Sequence, residues 1–134
     1  MPQETGVPLK SILLVDDSKF QRMANESVLA RAGYGVVTAR DGEEALLIAR
    51  NRIPDLILLD MMLPKLGGPE VLRALKQDPA TASIPVIVLS GLAQRNEAKL
   101  MQEGATAYFE KSKLGNADLL IDLVKRILDG VAAV

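Results

Sequence analysis

The sequence predicts an α/β domain: a doubly wound, five-stranded parallel sheet with five helices. Two observations predict it. Short apolar runs alternate with helical patterns five times along the chain, and three of those runs are unbroken. Alternation of strand and helix implies right-handed crossovers and a parallel sheet with helices on both faces. Unbroken apolar strands are those covered on both faces.

The elements follow in order. Ile12-Leu13-Leu14-Val15 is the first strand. Phe20, Met23, Ser27 and Val28 trace the apolar stripe of a first helix, which Gly33 ends. Val36-Val37-Thr38 is a weaker second strand, nearer the sheet edge. Asp41-Gly42-Glu43-Glu44 reads as a capping box opening the second helix, with Asp41 as N-cap and Glu44 three residues on. Leu56-Ile57-Leu58-Leu59 is the third strand. Val71, Leu72 and Leu75 mark the third helix, which stops before Asp78-Pro79. Val86-Ile87-Val88-Leu89 is the fourth strand. Ala98, Met101 and Ala105 suggest a fourth helix, with Gly104 near its end. Ala107-Tyr108-Phe109 is the fifth strand, and Leu119, Leu120, Leu123, Val124, Ile127 and Leu128 form the stripe of the last helix.

Composition bounds the function. The 134 residues suit one domain, with a flexible leader expected over 1–9 and the folded domain over 10–134. A net charge of −1 gives no field that would draw nucleic acid or an anionic membrane. No apolar run approaches the ~20 residues of a membrane helix, so no membrane insertion and a cytoplasmic location are expected. There is no cysteine, which excludes thiolate metal sites and disulfides. There is no histidine, which excludes a Ser-His-Asp triad and histidine-bound zinc.

Ligands of such sheets sit beyond the carboxyl ends of the strands. Asp16-Asp17 follows the first strand, Asp60 the third, Ser90 the fourth and Lys111 the fifth. Singly, each has a bland reading as a helix cap, a turn residue or a solvated charge. Together they form an oxygen-rich cluster suited to a hard cation, beside a lysine and a hydroxyl suited to a phosphoryl group.

These residues resemble the receiver domains of two-component response regulators. The likeness runs from about Lys10 to Leu128 and rests on four segments. They are Ile12-Leu13-Leu14-Val15-Asp16-Asp17-Ser18, Pro54 to Pro64 with Gly68 after it, Pro85 to Gly91, and Gly104 to Lys111. The resemblance implies a flavodoxin-like sheet of strand order 2-1-3-4-5. It implies that Asp60 accepts a phosphoryl group from a phosphohistidine on a sensor histidine kinase or histidine phosphotransfer protein. Asp16, Asp17, Asp60 and the Met62 backbone carbonyl would hold Mg²⁺. Lys111 and Ser90 would contact the phosphoryl oxygens, and Ser90 with Tyr108 would form the switch. Output to a downstream protein or domain would use the surface of the fourth helix, fifth strand and fifth helix. Such a protein is a signalling switch in a phosphorelay rather than an enzyme with a separate substrate.

Two features go further. The family usually places a proline after the lysine, joined by a cis bond, whereas Ser112 follows Lys111 here. A cis bond without proline costs about 3 kcal/mol, and the expectation is that the chain retains it to aim Lys111. Met62 and Leu92 stand two residues beyond Asp60 and Ser90, where neither can orient water, so a long-lived acyl phosphate is expected. Three other readings compete. A receiver-shaped scaffold without phosphorylation would not need the full set of acids, serine and lysine. An aspartyl phosphatase of the haloacid-dehalogenase type usually carries a second acid where this chain has Met62. A nucleotide-binding domain would show a glycine-rich turn after the first strand, where Asp16-Asp17-Ser18 stands.

Overall fold

A computed structural model describes residues 9–91 and 97–130. Of the expected leader, only Leu9 falls among them. The strands are β1 (Ser11–Val15), β2 (Gly35–Ala39), β3 (Leu56–Asp60), β4 (Val86–Ser90) and β5 (Ala107–Glu110). The helices are α1 (Lys19–Arg31), α2 (Gly42–Arg52), α3 (Gly68–Gln77), α4 (Glu97–Gln102) and α5 (Ala117–Leu128). The sheet is parallel throughout, in the order β2-β1-β3-β4-β5.

Side chains alternate across a strand, and the core divides accordingly. Leu13, Val15, Ile57, Leu59, Val86 and Val88 pack on one face with Val71, Leu72 and Leu75 of α3 and Leu100 of α4. Ile12, Leu14, Leu56, Leu58, Ile87 and Leu89 pack on the other with Leu29 of α1 and Leu120 and Val124 of α5. Every residue of β3 and β4 is buried, as their unbroken apolar runs require. Each large aliphatic side chain so buried contributes about 1.5–3 kcal/mol.

Two helical stripes differ from expectation. In α1, Phe20 is 84% exposed and Met23 58% exposed; the inward residues are Asn25 and Leu29. Leu29 anchors the helix in the core, and hydrogen bonds hold its start. Ser18 caps it by accepting from the Gln21 N–H, and Arg22 reaches back to the Asp16 carbonyl. The 22-25-29 edge faces inward, and Phe20 and Met23 stand in water. In α4, Ala98 and Met101 are exposed and Leu100 is buried. Gly104, at φ +114°, closes the helix as expected, letting the Ala105 N–H reach the Leu100 carbonyl at 3.1 Å. Asp41 caps α2 as expected, but Glu44 reaches back to the N–H of Arg40, one residue before the cap, instead of that of Asp41. Asp41 Oδ1 accepts from the Glu44 N–H at 2.8 Å, and Glu44 Oε1 accepts from the Arg40 N–H at 2.8 Å.

The start of α3 bears directly on the rim. A Cβ at Gly68 would lie 2.5 Å from Met61 Cα and 2.7 Å from the Asp60 carbonyl oxygen. Only glycine lets the helix approach the end of β3 this closely. Gly68→Ala is expected to lower stability by about 1–3 kcal/mol, the usual range for overpacking. Urea unfolding measures this, and an unchanged midpoint would mean that the Met61 backbone yields freely.

Candidate functional site

The carboxyl ends of β1, β3 and β4 and the turn after β5 converge. Asp16 is fully buried and almost wholly committed. Its N–H donates to the Ala39 carbonyl at 3.0 Å, its Oδ1 accepts from the Ser18 N–H at 2.9 Å, and its carbonyl accepts from Arg22 Nη1 at 2.8 Å. Only Oδ2 is without a hydrogen-bond partner, and it is buried. Asp60, also buried, has the same asymmetry. Its Oδ1 accepts from the Met62 N–H at 2.9 Å and pairs with Lys111 Nζ at 2.8 Å, while its Oδ2 is buried and unpartnered. Asp17 is exposed, and one carboxylate oxygen from each of Asp16, Asp17 and Asp60 lies within 4.8 Å of the others.

Buried polar atoms are nearly always satisfied. Two orphaned carboxylate oxygens beside a third acid therefore fit a hard cation, and an all-oxygen donor set favours Mg²⁺ or a similar ion over zinc.

Lys111 was expected to need a cis peptide bond, and that expectation fails. No cis bond occurs among the described residues. Lys111–Lys113 form a 3₁₀ turn closed by the Leu114 N–H on the Lys111 carbonyl at 3.0 Å. Without a proline ring at position 112, the trans chain turns freely and still delivers Nζ to Asp60, so the strain has nothing to accomplish.

Ser90 is buried at the end of β4, in register with Glu110 and so beside the strand that carries Lys111. It also lines a cleft of ≈ 280 Å³ with Met61, Met62, Arg73, Leu100 and Glu103. Tyr108 is half-buried, in register with Val88, and packs against the core face shared with α3 and α4. A second hollow of ≈ 370 Å³ joins Tyr108 and Glu110 to Glu97 of α4 and Leu119 of α5. Leu92 lies outside the described residues.

The residue that sequence reasoning missed is Arg22. A signal existed: α1 has no acid in its first turn yet carries Lys19 and Arg22 near its start, against the preference of a helix N-terminus for negative charge. The Asp16 carbonyl holds the Arg22 guanidinium.

Burial pushes the Asp16 carboxyl above its ordinary value, and Asp60 and Asp17 add to the rise. The Ser18 N–H and Lys111 oppose it. The folded chain thus holds the Asp16 proton more tightly than the unfolded chain does. Ionised Asp16 costs stability above its folded pKa, and the cost fades as pH falls toward the ordinary carboxylate value. Asp16→Asn should therefore melt higher than the native chain in metal-free buffer at neutral pH, with the gap closing in acid. Calorimetry across that range checks it.

The family model of the response regulator receiver domain matches residues 12–125. The gliding motility regulatory protein of Myxococcus xanthus is 41% identical over 117 residues, 87% of this chain; the chain spans only 15% of that protein's length. The polar-differentiation response regulator DivK of Brucella anthropi is 37% identical over 103 residues, covering 76% of this chain and 84% of DivK. Among solved structures, a CheY-like receiver domain protein from Methanospirillum hungatei superposes with a TM-score of 0.84 at 29% identity, covering 92% of this chain and 96% of that one. The receiver domain of a signal transduction histidine kinase from Syntrophus aciditrophicus does so with a TM-score of 0.82 at 32% identity, covering 91% and 92%. Receiver domains are signalling switches, and this chain belongs to the response regulator receiver domain family of two-component systems.

Proposed function

We propose that Asp60 is the phosphoacceptor of this receiver domain, charged by the phosphohistidine of a sensor histidine kinase or histidine phosphotransfer protein in the cytoplasm. One observation carries the reading. Asp60 holds one carboxylate oxygen on Lys111 and the Met62 N–H, and keeps the other buried, unpartnered and grouped with Asp16 and Asp17. The sequence contains no histidine, so the donor imidazole comes from outside these residues.

Asp16, Asp17, Asp60 and the Met62 carbonyl would hold Mg²⁺, which supplies neutralisation of charge on the phosphoryl oxygens. The rest falls to the chain. An Asp60 oxygen attacks phosphorus, the P–N bond breaks, and the imidazole leaves with its electron pair and takes up a proton. Lys111 follows the phosphoryl group as its charge moves onto Asp60, and the Ser90 hydroxyl donates to another phosphoryl oxygen. Drawing Ser90 toward the phosphate would free space on the Tyr108 side of β4 and shift an existing equilibrium of the α4-β5-α5 surface, to which a downstream partner binds. The role is that of a switch rather than a turnover enzyme.

Small phosphodonors such as acetyl phosphate test the acceptor directly. With Mg²⁺, intact mass should rise by one phosphate, the gain should need the metal, and Asp60→Asn should lose it. Labelling of that variant at the native level would move the acceptor elsewhere. A native chain that stays unlabelled by the small donor and by histidine kinases would act as a binding scaffold.

The same site bears on lifetime. Met62 is 62% exposed at the rim, and its thioether cannot orient a water for in-line attack on the acyl phosphate. Met62→Glu or Met62→Asn should speed loss of the label by about tenfold or more, since a fully positioned acid or base contributes about a hundredfold or more. Unchanged decay, followed by mass spectrometry, would place the control of hydrolysis elsewhere.

A further inference from the structure

Asp16 and Asp17 are adjacent residues in a loop, yet both must present a carboxylate to one point. Rotation of the peptide between them would swing the Asp17 side chain away while leaving Asp16 in place. That peptide is gripped at its oxygen. Arg22 Nη1 donates to the Asp16 carbonyl at 2.8 Å, from a half-buried position one turn into α1. The grip has a firm base, because the Arg22 N–H itself donates to the Ser18 carbonyl at 2.8 Å, the first bond of the helix. The Asp16 N–H and Oδ1 are held by Ala39 and Ser18. With Arg22 in place, every polar group of Asp16 except Oδ2 is engaged.

We infer that Arg22 is a positioning residue for the cation site: its guanidinium fixes the Asp16–Asp17 peptide so that both carboxylates face Asp60. The inference rests on the reading of that cluster as a Mg²⁺ site. It opposes the simplest electrostatic view. A cation a few ångströms from a divalent-ion site repels the ion, so charge alone makes Arg22 a hindrance. Its retention there is explained by geometry, as partners that orient a metal's ligands commonly matter tenfold or more.

The two views differ in sign, and Mg²⁺ affinity measured by isothermal titration calorimetry separates them. Arg22→Met keeps the stem and loses donor and charge. Positioning expects it to weaken Mg²⁺ binding by about tenfold, with Arg22→Lys, which keeps charge and one donor, recovering part of the loss. Binding by Arg22→Met that equals or exceeds the native affinity would overturn the inference. The affinities are compared well below each variant's unfolding temperature, so that a merely structural role, which lowers that temperature, leaves them unmoved. Should Arg22→Met not fold, neutral Arg22→Gln gives the same opposed signs: weaker binding upholds positioning, and equal or tighter binding overturns it. A native chain that binds no Mg²⁺ would remove the site itself, whereas native binding matched by the variant removes only the role of Arg22.

Discussion

Two buried carboxylates held beside a third are the constraint on which this structure turns. Desolvation penalises each charge, and their proximity adds repulsion. Asp16 registers both, as its raised pKa shows. A small aliphatic core must tolerate that cost, and it does so by placing the acids at the edge of the sheet rather than within it. Among the described residues, Lys111 supplies the direct counter-charge, to a single oxygen of Asp60. The remaining orphaned oxygens leave the site poised for a cation.

Everything around the site serves to keep those groups from relaxing. Backbone N–H groups of Ser18 and Met62 hold one oxygen on each acid. Gly68 seats α3 against the end of β3, and Gly42 seats α2 against Leu66 and Val71, where a Cβ would lie 2.7 Å from each. At the far side, Lys76 donates to the carbonyls of Ala82 and Ile84, and its stem fills the space beside Gly104. The Arg73–Glu103 pair joins α3 to the residue after α4 at 3.1 Å. The helices that border the rim are thus fastened at points where a side chain larger than glycine or a missing cation would loosen them.

The relatives set the scale of what is shared. DivK matches over most of its length, whereas the myxococcal protein contains far more than this domain. The part they share with this chain lies within the receiver domain.

The strands, their burial and the acids that follow them were legible in the sequence alone, because a strand buried on both faces needs an unbroken apolar run and a parallel sheet gathers strand ends on one side. The α2 cap, the α3 stripe and the Gly104 stop were legible for the same reason: each is a local pattern with a local cause. The inward face of α1 was not. Phe20 and Met23 carry apolar surface but stand in water, while Leu29 enters the core and Arg22 reaches the Asp16 carbonyl. Nor was the Lys111–Ser112 bond, where a trans 3₁₀ turn reaches Asp60 as well as a strained one would. Sequence by itself determined which elements form and which residues stand at their ends. Only the tertiary structure decided which way a helix faces and how a loop aims its lysine, since those depend on partners distant in the chain.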